Sequence, residues 1–206
     1  MVQEDQSRRR RDRLVLVVFF FLSGLITATW ASRIPDIQQK LGLNNRELGN
    51  VLFAIPVGLV IGLLLAGRLV ARYGTRQIML LGCLLLAVML SLIALSGTAW
   101  QLVLSLFLLG FFRTVFNLSI NTGAVDLQKQ YEQPIVSSFH GIWSLACLVA
   151  AGLGTLMIVN SVRPHWHFVG VAVVAAALPF LLVKKDKTAT PPGERRPFFV
   201  KPDRYP

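Results

Sequence analysis

Charge is scarce in this 206-residue chain: 21 basic and 10 acidic residues make up 15% of it, where a soluble domain carries roughly a quarter. The few charges are clumped, which leaves several uncharged stretches of about 20 residues or more. Together with a hydrophobic fraction of 54% and a mean hydropathy of +0.59, this excludes a soluble globular protein, a disordered tail and a fibrous repeat. Cysteine is rare too. Cys83 and Cys147 each lie inside an apolar run, too few for a disulfide framework or a structural zinc site. No metal-ligand cluster or phosphate-cradling loop occurs, so neither metal nor cofactor is expected. Carboxylates avoid the apolar runs: Asp36 falls between the first two and Asp126 at the end of the fourth. A nucleic-acid module needs a basic stripe on a folded polar surface. Here the basic residues behind the net charge of +11 punctuate apolar segments, so no nucleic acid is expected. What remains is an integral membrane protein in the lipid bilayer.

Six apolar stretches follow one another: Leu14–Ser32, Leu48–Gly67, Gln77–Thr98, Trp100–Val125, Pro134–Ser161 and Pro164–Val183. At about 1.5 Å per residue each crosses roughly 30 Å of hydrocarbon as a helix. Continuous apolarity argues against barrel strands, which alternate. Arg8–Arg11 and Arg13 before the first stretch imitate a signal peptide, but the uncharged run is long and five more follow, so an uncleaved helix is expected. The expected organisation is a basic tail over 1–13, a six-helix bundle over 14–183 and a polar linker over 184–206, which holds five of the ten prolines in its last part. Basic residues number sixteen on the side of both termini and four on the other, Arg33, Lys40, Arg46 and Arg163. The asymmetry places both termini in the cytoplasm. Trp30, Trp100 and Trp166 then fall near the outer interface, where amphipathic rings settle.

Between the second and third stretches the chain reads Gly67-Arg68-Leu69-Val70-Ala71-Arg72-Tyr73-Gly74-Thr75-Arg76. This resembles the loop signature of the major facilitator superfamily, Gly-x-Leu-x-Asp-Arg-x-Gly-x-Arg, in that family's position for it. Gly67, Leu69, Arg72, Gly74 and Arg76 match as the cytoplasmic gating loop; Ala71 replaces the acidic residue, which implies a weakened latch. Ser32-Arg33-Ile34-Pro35, Gly42-Leu43 and Leu48-Gly49 resemble the first outer loop of fucose-permease-like members, as do Ile120-Asn121, Ser138-Phe139-His140-Gly141 and Ser144-Leu145. The resemblance implies an all-α membrane protein of six transmembrane helices in a 3+3 inverted repeat, one half of a twelve-helix transporter, in a bacterial inner membrane. A faint echo of Leu14-Val15-Leu16 in Leu102-Val103-Leu104, 88 positions on, has the offset of such a repeat. The linker is expected to be truncated. The partner is then a missing C-terminal half or a second copy.

Several side chains are candidates for function. Arg113 lies about 18 Å into the fourth stretch, where an unpaired arginine costs about 2.5–3.5 kcal/mol and faces a cavity or a partner. Asn117 and Asn121 follow at steps of four on the same face. His140 and Ser144 form a pair on the fifth stretch beside Trp143, and Ser23, Thr27 and Trp30 a stripe on the first. The substrate-binding set is therefore Trp30, Arg113, Asn117, Asn121, His140 and Ser144, with structural hydrogen bonding as the competing role. Guanidinium donors suit a carboxylate or hydroxyl-rich solute, and His140 is the titratable group for a coupling proton. Ala54, Gly58, Gly62 and Ala66, and likewise Ala146, Ala150 and Gly154, form small stripes that let a helix approach closely. They serve either packing within the bundle or, as the resemblance implies, contact with the other half. The expected function is secondary active transport of a small polar, sugar-like solute. Its competitors are a drug or metabolite exporter and an inert truncated product. No enzyme is expected: Phe21-Leu22 before Ser23-Gly24 break the nucleophile pattern of an intramembrane serine protease.

Overall fold

The computed structural model describes residues 2–183, with side chains over 6–179. The linker 184–206 and its basic residues lie outside the described residues. The chain is a bundle of helices: α1 Val2–Ala31, α2 Ile34–Leu41, α3 Asn45–Leu52, α4 Ala54–Tyr73, α5 Thr75–Leu95, α6 Ala99–Gln128, α7 Val136–Val159 and α8 Pro164–Val183. There is no strand among the described residues. Five segments are long and apolar enough to cross a membrane: Gln6–Ala31, Asn45–Tyr73, Thr75–Leu95, Ala99–Gln128 and Val136–Val159. The sixth expected span coincides with α8, a shorter apolar helix over Pro164–Pro179, where its side chains are described.

Three boundaries differ from expectation. The basic segment is no separate tail: residues 2–13 are helical and continuous with the first span, because Arg and Gln propagate a helix well in water. The second span is broken at Phe53. Pro56 has no N–H to bond the Leu52 carbonyl, so the helix restarts there. The expected loop 68–76 is largely helix, since α4 runs to Tyr73 and the turn is a single residue, Gly74, at φ 82°. A side chain rarely adopts that backbone, which explains the glycine.

In the bundle α4 lies along α6, α1 along α7, and α5 between α6 and α8, with α8 also touching α1. Phe19, Phe20, Phe116, Phe139 and Phe168 are fully buried at its centre. Phe20 stacks on Phe139 at 5.3 Å and Phe19 meets Phe116 edge-on at 6.0 Å. The two long helix pairs are close because their contacts are small. A Cβ on Gly58 would strike the Phe107 carbonyl oxygen, one on Gly62 would stand 2.7 Å from that of Phe111, and one on Gly110 would strike that of Ile55. Thr114 Oγ1 adds a 3.2 Å hydrogen bond to the Leu59 carbonyl across the same seam. On the other pair, Gly24 sits against the Trp143 carbonyl, Gly154 against Ser32, and Ala146 and Ala150 are fully buried. Both small stripes, including Gly58, Gly62, Ala150 and Gly154, therefore pack inside this bundle. The outward faces of α4 and α7 carry large apolar residues, Val60, Leu63 and Leu64 on one, Leu148, Leu156 and Val159 on the other.

Candidate functional site

The polar wall is built mainly by α1 and α6. On α6 a period of four puts Arg113, Asn117 and Asn121 in one stripe. On α1 steps of four and three bring Ser23, Thr27 and Trp30 to face it. Ser23 Oγ donates to Asn117 Oδ1 at 3.0 Å, which ties the two helices together. Asn121 turns back on its own helix, its Nδ2 donating to the Asn117 carbonyl at 2.7 Å. Beside them Ser23, Ile26, Thr27, Trp30, Leu86, Leu109 and Arg113 line a cavity of about 10 Å³, room for roughly one water. Arg113 is half-buried there and has neither a hydrogen bond nor an ion pair with any described residue. Its nearest ionisable neighbour is the Cys147 thiol of α7, which itself points at the Gly24 carbonyl at 3.5 Å.

Trp30, Arg113 and Asn117 thus come together as the sequence suggests. His140 and Ser144 do not line that cavity. Both are exposed on α7, and His140 rests edge-on against Phe20 at 5.5 Å. Trp143, between them, is half-buried against the hydrophobic core. At the α4–α5 signature, Leu69 packs with Ala66, Ile78 and Val115 in a small satellite core. The Arg72 guanidinium lies 5.3 Å over the Tyr73 ring. Gly67 and Arg76 are half-buried, and Ala71 is exposed where the acidic residue would stand.

One feature was invisible in the sequence. Arg33 looks like an outer-loop charge, yet it is only 1% exposed. Its guanidinium donates to the Val162 carbonyl at 2.8 Å, to Asp36 Oδ2 at 3.2 Å and to His167 Nδ1 at 3.4 Å. These bonds tie the C-terminal end of α1 to the α7–α8 turn and to α8. Only the Asp36 partner, three residues on, had a local signal; His167 is 134 positions away. Lys40 was missed in the same way. Its ammonium donates to the Ala94 and Ser96 carbonyls at 2.9 and 2.8 Å, closing the C-terminus of α5 where unpaired carbonyls and the helix dipole attract a cation.

An apolar bundle of helices, five of them long enough to cross a membrane, with a polar wall within it defines an integral membrane protein. Residues 15–202 match the model of the Major Facilitator Superfamily, and the chain belongs to that family. It is 32% identical to an uncharacterized MFS-type transporter of Yersinia pestis, over 73% of this chain and 38% of that protein. It is 30% identical to the 4-hydroxybenzoate transporter PcaK of Pseudomonas putida, over 88% and 40%. Identity to the D-xylose transporter of Levilactobacillus brevis is 27%, over 80% and 37%. The chain spans less than half the length of these relatives.

Proposed function

We propose that this chain is the N-terminal six-helix half of a secondary active transporter that carries a small polar, sugar-like solute by alternating access. Arg113 carries the reading: a guanidinium deep in the fourth span, half-buried and unpartnered within the bundle, is costly unless it meets a ligand or water. Its planar fork suits the hydroxyls or carboxylate of a small solute, and the relatives are named for D-xylose and 4-hydroxybenzoate. Trp30, Ser23, Thr27 and Asn117 would supply the rest of this wall. The opposite wall would come from a C-terminal half or a second copy, and the two bundles would rock about the midplane site. His140 and Ser144 would extend the wall along α7, with His140 as the candidate carrier of a coupling proton.

A 3+3 inverted repeat is part of the proposal. Exchanging the first, second and third spans with the fourth, fifth and sixth turns the α1–α7 pair into α6–α4 and the α5–α6 pair into α8–α1. It returns α5–α8 to itself, so the main packing pairs map onto one another. The reading also places both termini in the cytoplasm of a bacterial inner membrane. Nine described basic residues lie on that side, Arg8–Arg11, Arg13, Arg68, Arg72, Arg76 and Lys129, against Arg33, Lys40, Arg46 and Arg163 on the other. The fucose-permease-like branch is proposed on the outer-loop residues, Ile120-Asn121 and the fifth-span residues alone.

Uptake of labelled D-xylose and 4-hydroxybenzoate into cells making the native protein tests the reading. Arg113→Ala is expected to lower uptake at least about tenfold at an unchanged membrane level, with Arg113→Lys intermediate. Wild-type uptake from Arg113→Ala would remove Arg113 from the site. If the wild-type protein moves neither solute, nor any in a wider panel of sugars and small acids, the inert reading replaces this one.

A further inference from the structure

On the cytoplasmic side of the proposed topology, a cleft of about 490 Å³ opens between the start of α1 and the α6–α7 connection. Arg9, Arg13, Tyr131 and Ser138 are among its lining residues, and Glu132 is its one acidic lining residue. None of its lining residues belongs to the proposed solute site. We infer that this cleft binds the phosphate of an anionic phospholipid headgroup.

Three observations converge on that ligand. The first is charge on one rigid rod: Arg8–Arg11 and Arg13 all lie on α1, with only Asp12 interrupting them. Spacing by four brings Arg9 and Arg13 to the same side, towards the cleft. The second is fixed geometry. Arg9 Nη1 donates to the Gln130 carbonyl at 3.0 Å, Tyr131 Oη donates to the Arg9 carbonyl at 3.4 Å, and the Arg13 guanidinium sits 6.0 Å over the Tyr131 ring. The loop thereby holds two planar forks on one cleft, and such forks match phosphate oxygens. The positive end of the 24-residue helix α7 faces the same region, where Ser138 donates its hydroxyl to the Ile135 carbonyl at 2.6 Å. The third is depth. Arg13 is followed at once by Leu14, which is 52% exposed and begins the apolar part of the span. The guanidinium groups therefore stand at the polar–apolar boundary, the level at which headgroup phosphates lie, on the leaflet rich in anionic lipid. A soluble phosphate would find the same donors, but only a lipid also places its acyl chains beside Leu14.

The inference rests on the orientation proposed above; binding is read without transport, so the two fail separately. The protein, purified in uncharged detergent, is titrated with phosphatidylglycerol, phosphatidylcholine or inorganic phosphate. Bound lipid is counted by native mass spectrometry and stability followed by thermal unfolding. Phosphatidylglycerol is expected to bind and stabilise, and phosphatidylcholine not to. Arg9→Gln with Arg13→Gln is expected to weaken binding roughly 30-fold, taking about a fivefold loss per arginine. Arg8→Gln with Arg10→Gln removes the same charge from exposed positions outside the cleft and is expected to leave most binding intact. Tyr131→Ala, which removes the ring beneath the Arg13 guanidinium and the bond to the Arg9 carbonyl without changing charge, guards against misfolding of the double variant; it is expected to weaken binding several-fold. Equal loss in the two arginine pairs would reduce the effect to diffuse charge and overturn the site. Stabilisation by inorganic phosphate that phosphatidylglycerol does not exceed would overturn the lipid assignment.

Discussion

Replacing Arg33 by methionine tests whether the buried outer network fastens the bundle. Methionine fills much of the arginine stem's volume, so the change removes donors more than packing. The Val162 carbonyl, bonded at 2.8 Å, loses its charged donor, and a buried acceptor left unpaired costs about 1–3 kcal/mol. Asp36 is one-third exposed and turns to water, so its share is at most about 1 kcal/mol. The His167 contact at 3.4 Å is near the outer limit for a hydrogen bond and contributes a few tenths of a kcal/mol, as poor geometry weakens such bonds. Relief from burying a guanidinium opposes these losses. A net destabilisation of about 2–3 kcal/mol is expected, which is roughly a 30- to 150-fold rise in the open population. Cys83 offers the readout: it is wholly buried, with its thiol 3.4 Å from the Ala175 carbonyl of α8. In a Cys147→Ser background, its alkylation rate in detergent follows the opening of the bundle when reclosing is fast. Labelling of Arg33→Met within about twofold of the parent, corresponding to less than about 0.5 kcal/mol, would show that the network adds nothing and refute the reasoning.

Gly58→Leu should destabilise the bundle by about 3 kcal/mol or more, because the backbone of α6 cannot yield as a side chain would. Gly152→Ala, whose Cβ meets nothing within 4 Å, should stay within about 0.5 kcal/mol, and equal unfolding midpoints for the two would sink the close-packing account. Lys40→Met should cost about 1 kcal/mol through the uncapped end of α5, read as faster hydrogen exchange in residues 93–96; unchanged exchange there would remove the cap. For Ser23→Ala with Asn117→Ala, a double-mutant cycle on unfolding should give a coupling of about 0.6 kcal/mol, as hydrogen bonds between membrane helices average. Strict additivity would mean that the 3.0 Å bond is not formed.

The apolar runs made the helices legible, and their ends were sharpest where the chain carries its own punctuation. Gly74 separates α4 from α5, and Ser96-Gly97 follows Leu95. Charge misled at the other boundaries. Arg8–Arg13 looked like the end of order, yet a helix needs hydrocarbon neither to start nor to continue. Gln128 extends α6 beyond the apolar limit for the same reason, with Lys129 paired to Asp126 just past it. Within the spans, a period of four showed which residues share a helix face but not which neighbour that face meets. Thus Arg113 and Asn117 were placed with Trp30 and Ser23, while His140 and Ser144, equally well spaced, stand on the exposed side of α7. Arg33 was the hardest case: an arginine looks like a loop charge until the chain has closed and set Val162 and His167 around it.

The polar wall and the proposed repeat bear on each other. Under that repeat α1 and α6 are equivalent, as the opening helices of the two triplets, and these two helices carry Ser23, Thr27, Trp30, Arg113 and Asn117. The helices that follow them, α4 and α7, use their small residues against α6 and α1. They turn bulky apolar residues outwards, as helices that brace a central pair against lipid or another bundle would. A cavity of about 10 Å³ cannot enclose a sugar, since ligand sites occupy about 300 Å³ or more. On the proposed reading Arg113 would therefore be one side of a site whose other side faces it across the open wall. A ligand held there would be released when the facing bundle tilts, with no need for this one to unpack its glycine seams. The division of labour follows from the residues: tight, rigid pairs behind, and a single unpartnered charge in front.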